Sequence, residues 1–310
     1  MSAANASTAI GTTATAEAGV AYVGRFAPSP TGALHLGSLT TAVASFLDAR
    51  HHDGRWLLRI EDLDAPRVVA GAADAMLRSL EDLGFGWDGP VTYQSRRLAL
   101  YQQALDDLGR RGQLYACSCS RRDRGGTDDA GGYAGTCRAG PTRPGPVATR
   151  FRADLNPVPD LADRLLGICD SARAAAGDPI LRRRDGLYAY QLAVVVDDAE
   201  QQVSDIVRGA DLLPSTYWQR SLQRALQLPE PRYAHLPLVC EADGRKLSKS
   251  AHPVEGAMAD ASERLWRVLS LLRQAPPPEL RRAPPPELWA WAVAHWRLNS
   301  LRGLARLSAH

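Results

Sequence analysis

One stretch, residues 25 to 38, constrains the fold of this chain more than any other. It reads RFAPSPTGALHLGS and follows a short apolar run that ends at Val23. A strand that breaks into a loop rich in Pro and Gly and then begins a helix leaves several backbone N–H groups free, with the positive end of the helix dipole behind them. Such a loop suits a bound phosphate. The pattern therefore predicts an α/β protein with a phosphate site after its first strand.

The residue types within this loop also suit phosphate binding. Pro28 and Pro30 fix the backbone, and Gly32 permits close approach of the chain. The side chains of His35 and Ser38 can donate hydrogen bonds to phosphate oxygens. The simpler interpretation is an ordinary loop that happens to contain His, because short motifs also occur by chance.

A second motif favours a nucleotide site. Residues 246 to 250 read KLSKS and place Lys246 and Lys249 on a turn that begins near Gly244. Lysine is a mobile point charge, which suits a leaving pyrophosphate whose charge grows in the transition state. A lysine pair near a turn usually marks only a solvated surface, but its occurrence after the first motif argues against chance. We therefore predict that both motifs face ATP.

Size and composition set broader limits. The chain has 310 residues, of which 45% are hydrophobic and 23% charged, and this is typical of a globular protein with one inserted module. The net charge of +3 is too small to establish a nucleic-acid partner by itself. No apolar run approaches the roughly 20 residues that a membrane helix needs, and the start lacks a secretory signal. We expect a cytoplasmic monomer with no membrane partner and a disordered tail over residues 1–20.

Two strands and an acidic cluster follow the expected sheet pattern. Residues 22–27 and 55–60 are the predicted strands, with a helix from Leu36 between them. Glu61 comes directly after the second strand, where ligands of open α/β sheets bind. It is therefore a candidate to hold a substrate ammonium, and a surface acidic turn is the alternative. Pro66 suits the start of the next helix, whose apolar face would include Val69.

The later half offers a candidate carboxylate-binding residue. The apolar run at residues 193–196 predicts a buried strand or the end of a buried helix. Arg208, beside Gly209, can contact a carboxylate through two nitrogens, and a salt bridge to Asp205 or Asp211 is the alternative. Ser215 or Thr216 is expected to cap the helix that follows.

A cysteine cluster lies in a loop-rich segment. Cys117, Cys119 and Cys137 occur close together, with Tyr133 between them, and three thiols in a reducing compartment indicate a structural zinc. The segment contains no His, and a phenol is an uncommon ligand because its pKa near 10 must fall on binding the metal. Unrelated buried cysteines are the alternative.

The last sixty residues contain the duplicated sequence APPPEL, at 275–280 and 283–288. We interpret the duplication as a low-complexity linker without a function of its own. Trp289, Trp291, Val293 and Trp296 fit an amphipathic helix that docks on the body of the protein, and an RNA-stacking surface is the alternative.

The two motifs together resemble the signatures of class I aminoacyl-tRNA synthetases, and residues 25–32 resemble the glutamate group of that class. The resemblance covers roughly residues 20–255. With Cys-x-Cys and Tyr-x-x-x-Cys in the insertion and no anticodon-binding region, the chain is similar to the glutamyl-Q tRNA(Asp) synthetases. That family activates L-glutamate with ATP and attaches it to the queuosine base in the anticodon of tRNA(Asp). The partners implied are L-glutamate, ATP with Mg²⁺, and tRNA(Asp) bearing queuosine.

The resemblance implies an α/β fold: a class I Rossmann-like parallel sheet with an inserted zinc-binding subdomain and a short C-terminal helical region. The implied division is a tail at 1–20, the catalytic nucleotide-binding domain at 21–115 and 183–255, the inserted subdomain at 116–182, and a linker with the C-terminal helical region at 256–310.

The resemblance also implies roles for individual residues. Those for glutamate are Arg25, Phe26, Ala27, Pro28, Ser29, Glu61, Tyr190 and Arg208. The residues implied to bind ATP are His35, Gly37, Ser38 and Lys249. The residues implied to act in catalysis are His35, Lys246 and Lys249. The residues implied to bind structural Zn²⁺ are Cys117, Cys119, Tyr133 and Cys137. Glu61 would hold the ammonium group and Arg25 would lie near a carboxylate. Arg208 would face the side-chain carboxylate and so select glutamate over glutamine, since an amide leaves a buried guanidinium incompletely paired.

One residue departs from the wider class, because Ser38 stands where the general signature has a second His; small residues there are usual in the glutamate group. Three alternative functions stay open at this point. They are a short glutamyl-tRNA synthetase that charges the 3′ end of tRNA(Glu), a non-catalytic adenylate-binding regulator, and a ligase that joins an activated amino acid to a small molecule.

Overall fold

A computed structural model describes residues 21–120, 123, 133, 135–171, 177–240 and 260–308. The predictions for the 1–20 tail and for Lys246 and Lys249 of KLSKS lie outside these residues. The helices are α1 Leu36–His51, α2 Ala72–Asp82, α3 Leu98–Arg110, α4 Tyr190–Glu200, α5 Leu213–Leu226, α6 Ala261–Leu271 and α7 Pro285–His295. The strands are β1 Val23–Phe26, β2 Arg55–Ile60, β3 Thr92–Tyr93, β4 Leu114–Cys117, β5 Ala148–Phe151, β6 Leu161–Asp163, β7 Gly167–Cys169, β8 Ile180–Arg182, β9 Asp205–Gly209, β10 Arg232–Leu236, β11 Leu238–Cys240 and β12 Arg306–Ser308.

Parallel strands form the centre of the fold, as the sequence predicts. Strand β2 lies between β1 and β3, and β9 pairs with β10, all in parallel. The amide of Ser204, just before β9, donates to the carbonyl of Val23 at 3.0 Å and so joins the two sets of strands. Because parallel strands end at the same edge, the loops that follow β1, β2, β9 and β10 gather there.

Helix α1 packs against this sheet and is buried along most of its length. Phe46 of α1 contacts Trp56 of β2 edge to face, with ring centroids 5.2 Å apart. Trp289 of α7 packs on Phe46 from the other side at 4.7 Å, and its indole donates to the carbonyl of Leu83. The core therefore joins the first strands to the C-terminal helix. None of the helices in the described parts of the chain is long and apolar enough to cross a membrane.

The segment after β2 corrects one prediction. Pro66 lies in a separate short 3-10 turn, Ala65–Arg67, and α2 begins only at Ala72. Gly71, with φ of 75°, precedes α2, and this left-handed conformation separates the two helical pieces. Val69 is 50% exposed rather than part of the apolar face. Its amide instead donates to the carbonyl of Pro30, which ties this segment to the predicted phosphate loop.

Two further predictions in the later half are settled. Residues 193–196 lie within α4, so the helix interpretation is confirmed and the strand is wrong. The cap predicted at Ser215 or Thr216 is also wrong, because α5 begins at Leu213 directly after a 3-10 turn. Thr216 lies inside the helix, where its hydroxyl is available for the site described below.

The segment between α3 and α4 contains a small antiparallel sheet of β4, β5 and β8 and a hairpin of β6 and β7. Several hydrogen bonds attach it to the parallel strands and α5, including two from an amide and an indole. The amide of Arg164 donates to the carbonyl of Tyr233 at 2.9 Å, and the indole of Trp218 donates to the carbonyl of Gly177 at 3.0 Å. The hairpin thereby lies beside β10.

The duplicated APPPEL sequence is not a linker, so that expectation is wrong. Each copy begins a helical turn, Pro278–Arg282 and then α7, and buries its leucine, Leu280 or Leu288. The predicted docking of the terminal helix is confirmed, because Trp289 and Trp296 are buried. Proline suits a first helical turn and leucine fills the core, which explains how a low-complexity pattern becomes ordered structure.

Candidate active site

A cavity of about 780 Å³ opens at the carboxyl ends of the parallel strands. The lining includes every residue predicted to bind glutamate, namely Arg25, Phe26, Ala27, Pro28, Ser29, Glu61, Tyr190 and Arg208. It also includes three of the residues predicted for ATP, namely His35, Gly37 and Ser38. Residues from four segments that are far apart in the sequence, at 25–38, 61, 190 and 208, therefore line one cavity.

The loop after β1 leads into the start of α1 through His35, which is the N-cap residue. The Nδ1 atom of His35 accepts the Ser38 amide at 3.3 Å, and its Nε2 lies 2.9 Å from the Ser38 hydroxyl. A Cβ on Gly37 would approach the His35 ring to 3.2 Å, so glycine leaves room for this cap. The result is a helix N-terminus that faces the cavity with an imidazole and a hydroxyl beside it, as phosphate binding requires.

Glu61 is held at the far side of this loop. Its amide donates to the carbonyl of Pro28 at 2.9 Å, and its side chain is only 9% exposed. Arg59 Nη2 lies 3.5 Å from the carboxylate. Burial raises the pKa of Glu61 to about 7, although Arg59 and Arg25 act in the opposite direction. A bound cation would favour the ionised form of Glu61 and so lower its pKa again. The carboxyl group is therefore suited to a cationic ligand.

Arg25 is neutralised within the protein. Its Nε and Nη2 donate to the two carboxylate oxygens of Asp198 at 3.2 and 3.3 Å. Arg59, whose side chain is fully buried, contacts the same carboxylate through Nη1 at 2.8 Å. Burial by itself would raise the pKa of Asp198, but the two arginines lower it below its usual value. Asp198 is therefore ionised and fixes both guanidinium groups.

Arg208 is buried to a similar extent, at 2% exposure, but its partners are different. Its Nη2 donates to the hydroxyl of Thr216 at 2.7 Å and to the amide oxygen of Gln219 at 2.8 Å. Its Nε and Nη1 lie 3.3 Å from His235 Nε2 and the Tyr190 hydroxyl, respectively. Within the described part of the chain, all of its hydrogen-bond partners are neutral.

Among the described residues, Arg208 forms neither of the salt bridges that the sequence offered as an alternative, to Asp205 or to Asp211. Asp205 pairs with Arg164 at 3.4 Å and with Arg232 at 2.8 Å. A buried cation without a counter-charge is costly, and the cost is offset when an anion binds. Because Arg208 lines the cavity, a carboxylate bound there would supply the missing charge.

The cysteine cluster forms a second site, away from the cavity. The sulfur atoms of Cys117, Cys119 and Cys137 lie within 4.8 Å of one another, and Cys119 and Cys137 are 3.4 Å apart. The Tyr133 hydroxyl lies 3.3 Å from the Cys117 sulfur and 3.4 Å from that of Cys119. Zinc–sulfur bonds of about 2.3 Å in a tetrahedron place sulfur atoms roughly 3.8 Å apart. Three thiols and one phenol thus converge as a four-ligand zinc site requires.

Comparison with known proteins agrees with this geometry. Residues 22–262 match the family model described as tRNA synthetases class I (E and Q), catalytic domain. A protein of Pseudomonas paraeruginosa named glutamyl-Q tRNA(Asp) synthetase is 50% identical over 89% of this chain and 93% of its own length. One of the same name from Dechloromonas aromatica is 48% identical over 90% of this chain and 95% of its own length.

The chain belongs to the glutamyl-Q tRNA(Asp) synthetase family.

Solved structures show the class I fold expected of this family. A glutamate tRNA ligase from Elizabethkingia meningosepticum, crystallised with its amino acid, superposes with a TM-score of 0.75 at 26% identity, over 93% of this chain and 67% of that one. The glutamate-tRNA synthetase of Elizabethkingia anophelis gives the same TM-score and identity over 94% of this chain and 68% of that one. The α/β fold with a parallel sheet, predicted from two motifs, is thereby confirmed.

Several buried residues of the site were not found from the sequence. They are Arg59, Asp163, Asp198, Thr216, Gln219 and His235. The sequence held a signal for one of them, Asp198, which closely follows the apolar run at residues 193–196. Because α4 buries this run, the acid is buried with it and needs a partner. The others occur in unremarkable local sequence and acquire a role only through tertiary contacts.

Proposed function

We propose that this glutamyl-Q tRNA(Asp) synthetase family member activates L-glutamate with ATP to glutamyl-adenylate and transfers the glutamate to the queuosine base in the anticodon of tRNA(Asp). The names of its relatives support the reaction and its tRNA. The observation that carries the amino-acid assignment is Arg208, a buried guanidinium with neutral partners that lines the cavity. A substrate with a carboxylate side chain supplies the counter-charge that the described partners of Arg208 do not provide.

In the proposed complex, glutamate binds between two charged side chains. Arg208 receives the side-chain carboxylate, with the Tyr190 hydroxyl beside it. Glu61 receives the ammonium group, and the loop of residues 25–29 closes the pocket with Arg25 near the α-carboxylate. Arg25 keeps its bond to Asp198, so its own charge is largely compensated. Glutamine would leave Arg208 without a counter-charge, and this sets the preference for glutamate.

Activation then requires no protein nucleophile. An oxygen of the α-carboxylate attacks the α-phosphorus of ATP, the bond to the bridging oxygen breaks, and pyrophosphate leaves. His35, Gly37 and Ser38 at the start of α1 lie on the ATP side of the cavity, where ATP carries Mg²⁺. Lys246 and Lys249 are predicted to stabilise the departing pyrophosphate. Catalysis therefore consists mainly of positioning and charge stabilisation.

Transfer completes the reaction. A hydroxyl of the queuosine base attacks the carbonyl carbon of the adenylate, an ester bond forms, and AMP leaves with the electron pair of the broken C–O bond. We also propose that the protein is a cytoplasmic monomer, in keeping with a tRNA substrate. Its catalytic domain comprises residues 21–115 and 183–255, and residues 116–182 form the inserted subdomain.

We further propose that Cys117, Cys119, Tyr133 and Cys137 hold one structural zinc ion. The convergence of the four donor atoms supports the assignment. When bound, the ion cross-links β4 to the following loop, while the chemistry of the cavity proceeds without it. Metal analysis of the purified protein should give about one zinc per chain. A folded and active sample that contains no zinc would remove this assignment.

The function is tested with radiolabelled glutamate, ATP and two tRNA preparations, one from cells that make queuosine and one from cells that cannot. We expect label only in the aspartate tRNA that contains queuosine. Equal labelling of both preparations, removed by deacylation of the 3′ end, would indicate a short glutamyl-tRNA synthetase instead. Glutamate-dependent pyrophosphate exchange without any labelled RNA would indicate a ligase that acts on a small molecule.

A further inference from the structure

A line of buried side chains extends from Arg208 away from the cavity. His235 of β10 is fully buried and lies 3.3 Å from Arg208 through its Nε2 atom. Its Nδ1 lies 2.6 Å from Oδ2 of Asp163, whose side chain is also fully buried. Asp163 ends β6, in the hairpin beside β10. A residue of the predicted inserted subdomain therefore lies directly behind the candidate glutamate pocket.

These contacts determine which nitrogen of His235 carries the proton. Arginine can only donate hydrogen bonds, so Nε2 of His235 must accept from Arg208. The Thr216 hydroxyl accepts from Arg208 Nη2, lies 2.9 Å from the same Nε2 and can donate its own proton to it. The proton is then on Nδ1, which donates to Asp163. Burial, together with the charge of Arg208, lowers the pKa of His235, although Asp163 opposes this shift. The ring is therefore neutral, with an acceptor facing Arg208.

Asp163 is itself fixed by the backbone. Its Oδ1 accepts the amides of Leu165 and Leu166, both at 2.9 Å. Its Oδ2 accepts the His235 ring and lies 3.2 Å from the His235 amide. One oxygen thus anchors the carboxylate in the hairpin, and the other orients the imidazole.

The partners of Arg208 divide its guanidinium into two sides. Nε and Nη2 donate to His235, Thr216 and Gln219, none of which lines the cavity. Nη1 lies on the side of Tyr190, which does line it. Neutral acceptors therefore hold one side of the group, leave its charge uncompensated and direct the other side to the cavity.

We infer that His235, oriented by Asp163, is a positioning residue that sets the preference for glutamate over glutamine. A carboxylate in the place of His235 would neutralise the charge of Arg208. A hydrogen-bond donor there would repel the guanidinium group. A neutral acceptor holds Arg208 in place and leaves its positive charge for an anionic ligand. This inference rests on the proposed function, because it takes Arg208 to bind the side chain of glutamate.

The sharpest test is Asp163→Asn. The new side chain keeps an oxygen toward Leu165 and Leu166 and places its NH₂ group toward His235. Nδ1 must then accept, and the proton moves to Nε2. This nitrogen can donate to the Thr216 hydroxyl 2.9 Å away, but it no longer accepts from Arg208 Nε, so two donors face each other there. A wrong tautomer of this kind disables another buried Asp–His pair. In glutamate-dependent pyrophosphate exchange we expect the KM for glutamate to rise roughly tenfold or more, the range seen when outer partners of a binding group are lost. We expect kcat to stay within about threefold of the wild-type value, because binding rather than chemistry is affected. The preference for glutamate over glutamine, measured as the ratio of the two kcat/KM values, should fall about tenfold.

Tyr233→Phe is the matched control for damage to packing. Tyr233 is equally buried on β10, stacks on His235 with ring centroids 5.9 Å apart, and accepts a bond from Gln223 through its hydroxyl. This variant loses a buried hydrogen bond and should keep the wild-type KM and preference. The inference is overturned if Asp163→Asn keeps both values, or if the two variants change them equally.

A second pair of variants tests His235 directly and decides the question if Asp163→Asn does not fold. In His235→Gln the amide oxygen can take the place of Nε2, whereas in His235→Asn the amide nitrogen takes the place of Nδ1 and the acceptor is lost. We expect His235→Gln to retain most of the preference for glutamate and His235→Asn to lose it. Equal behaviour of the pair would overturn the inference. Failure of the proposed function would show differently, as wild-type protein without glutamate-dependent exchange.

Discussion

Two buried arginines line the same cavity and are held in opposite ways. Arg25 donates two hydrogen bonds to Asp198, which also contacts Arg59, so its charge is matched within the protein. Arg208 is equally buried, yet its partners among the described residues are a hydroxyl, an amide, a phenol and a neutral imidazole.

The difference separates structural from recognition charges. Removing one partner of a buried ion pair costs several kcal/mol, so Asp198 of α4 holds Arg25 of β1 and Arg59 of β2 in place. A buried cation with neutral partners lowers the stability of the unliganded protein. It also increases the affinity of the protein for an anionic ligand. Under the proposed function, the side of the cavity near Arg25 is preorganised, and the side near Arg208 receives the charge of the substrate. Each of the following predictions tests one side against the other.

The largest effect on stability is expected for Asp198→Ala. The change leaves Arg25 buried without its carboxylate and Arg59 with only its longer carboxylate contacts, to Glu61 and Asp197, so the free energy of unfolding should fall by about 3–5 kcal/mol. Chemical denaturation measures this value. Asp185→Ala, at an exposed partner of Arg183, is the control and should cost less than about 1 kcal/mol. Equal losses in both variants would show that the buried cluster is not what joins β1 and β2 to α4.

The acidic side of the pocket predicts a pH dependence. Because burial raises the pKa of Glu61 to about 7, the carboxyl group is protonated below that pH and loses the charge that attracts an ammonium group. The KM for glutamate should therefore rise as pH falls through 7, by roughly tenfold per unit once the pH is well below the pKa. Exchange assays between pH 5 and pH 8 measure it. A KM that is constant over this range would contradict the assigned role of Glu61.

A smaller effect is expected for Thr216→Val. The substitution keeps the shape of the side chain and removes one acceptor from Nη2 of Arg208, which retains Gln219. A hydrogen bond to a charged group contributes about 1.5–3 kcal/mol, and because Gln219 still accepts from the same nitrogen we expect the lower limit, a rise of about tenfold in the KM for glutamate. The same assay measures this change. Ser221→Ala, on the opposite end of α5, should leave it unaltered.

The smallest effect on stability is expected for Arg208→Met, although the arginine is as buried as Asp198. The variant removes a charge that has no counter-charge, so the free energy of unfolding should stay within about 1 kcal/mol of wild type or increase. A loss as large as that of Asp198→Ala would mean that Arg208 is a structural charge, and the contrast between the two sides would fail.

The same division explains what the sequence could reveal. The strand at residues 55–60 and the helix from Leu36 follow from local patterns, and both are confirmed. The loop of residues 25–38 and Glu61, which follows a strand, line one cavity, as their positions in the sequence predicted; their roles stay predictions. These features depend on neighbours in the chain, which a sequence displays directly.

The supporting groups could not be found in this way. Arg25 and Asp198 are 173 residues apart, and Asp163 and His235 are 72 apart, so only the folded chain joins them. The APPPEL copies show a second kind of error, in which a local pattern predicted too little structure. Their composition indicated a linker, but Leu280 and Leu288 are buried in the folded protein. Tertiary contacts, rather than local preference, decide both cases.

The most direct test of this account is the amino-acid preference of Arg208→Met. Glutamate- and glutamine-dependent pyrophosphate exchange would be measured for the variant and for wild type, with thermal melts to verify folding. The account predicts that wild type prefers glutamate strongly and that the folded variant loses most of this preference, chiefly through weaker use of glutamate. A folded variant that still prefers glutamate as wild type does would contradict the claim that Arg208 is the charge kept for the substrate.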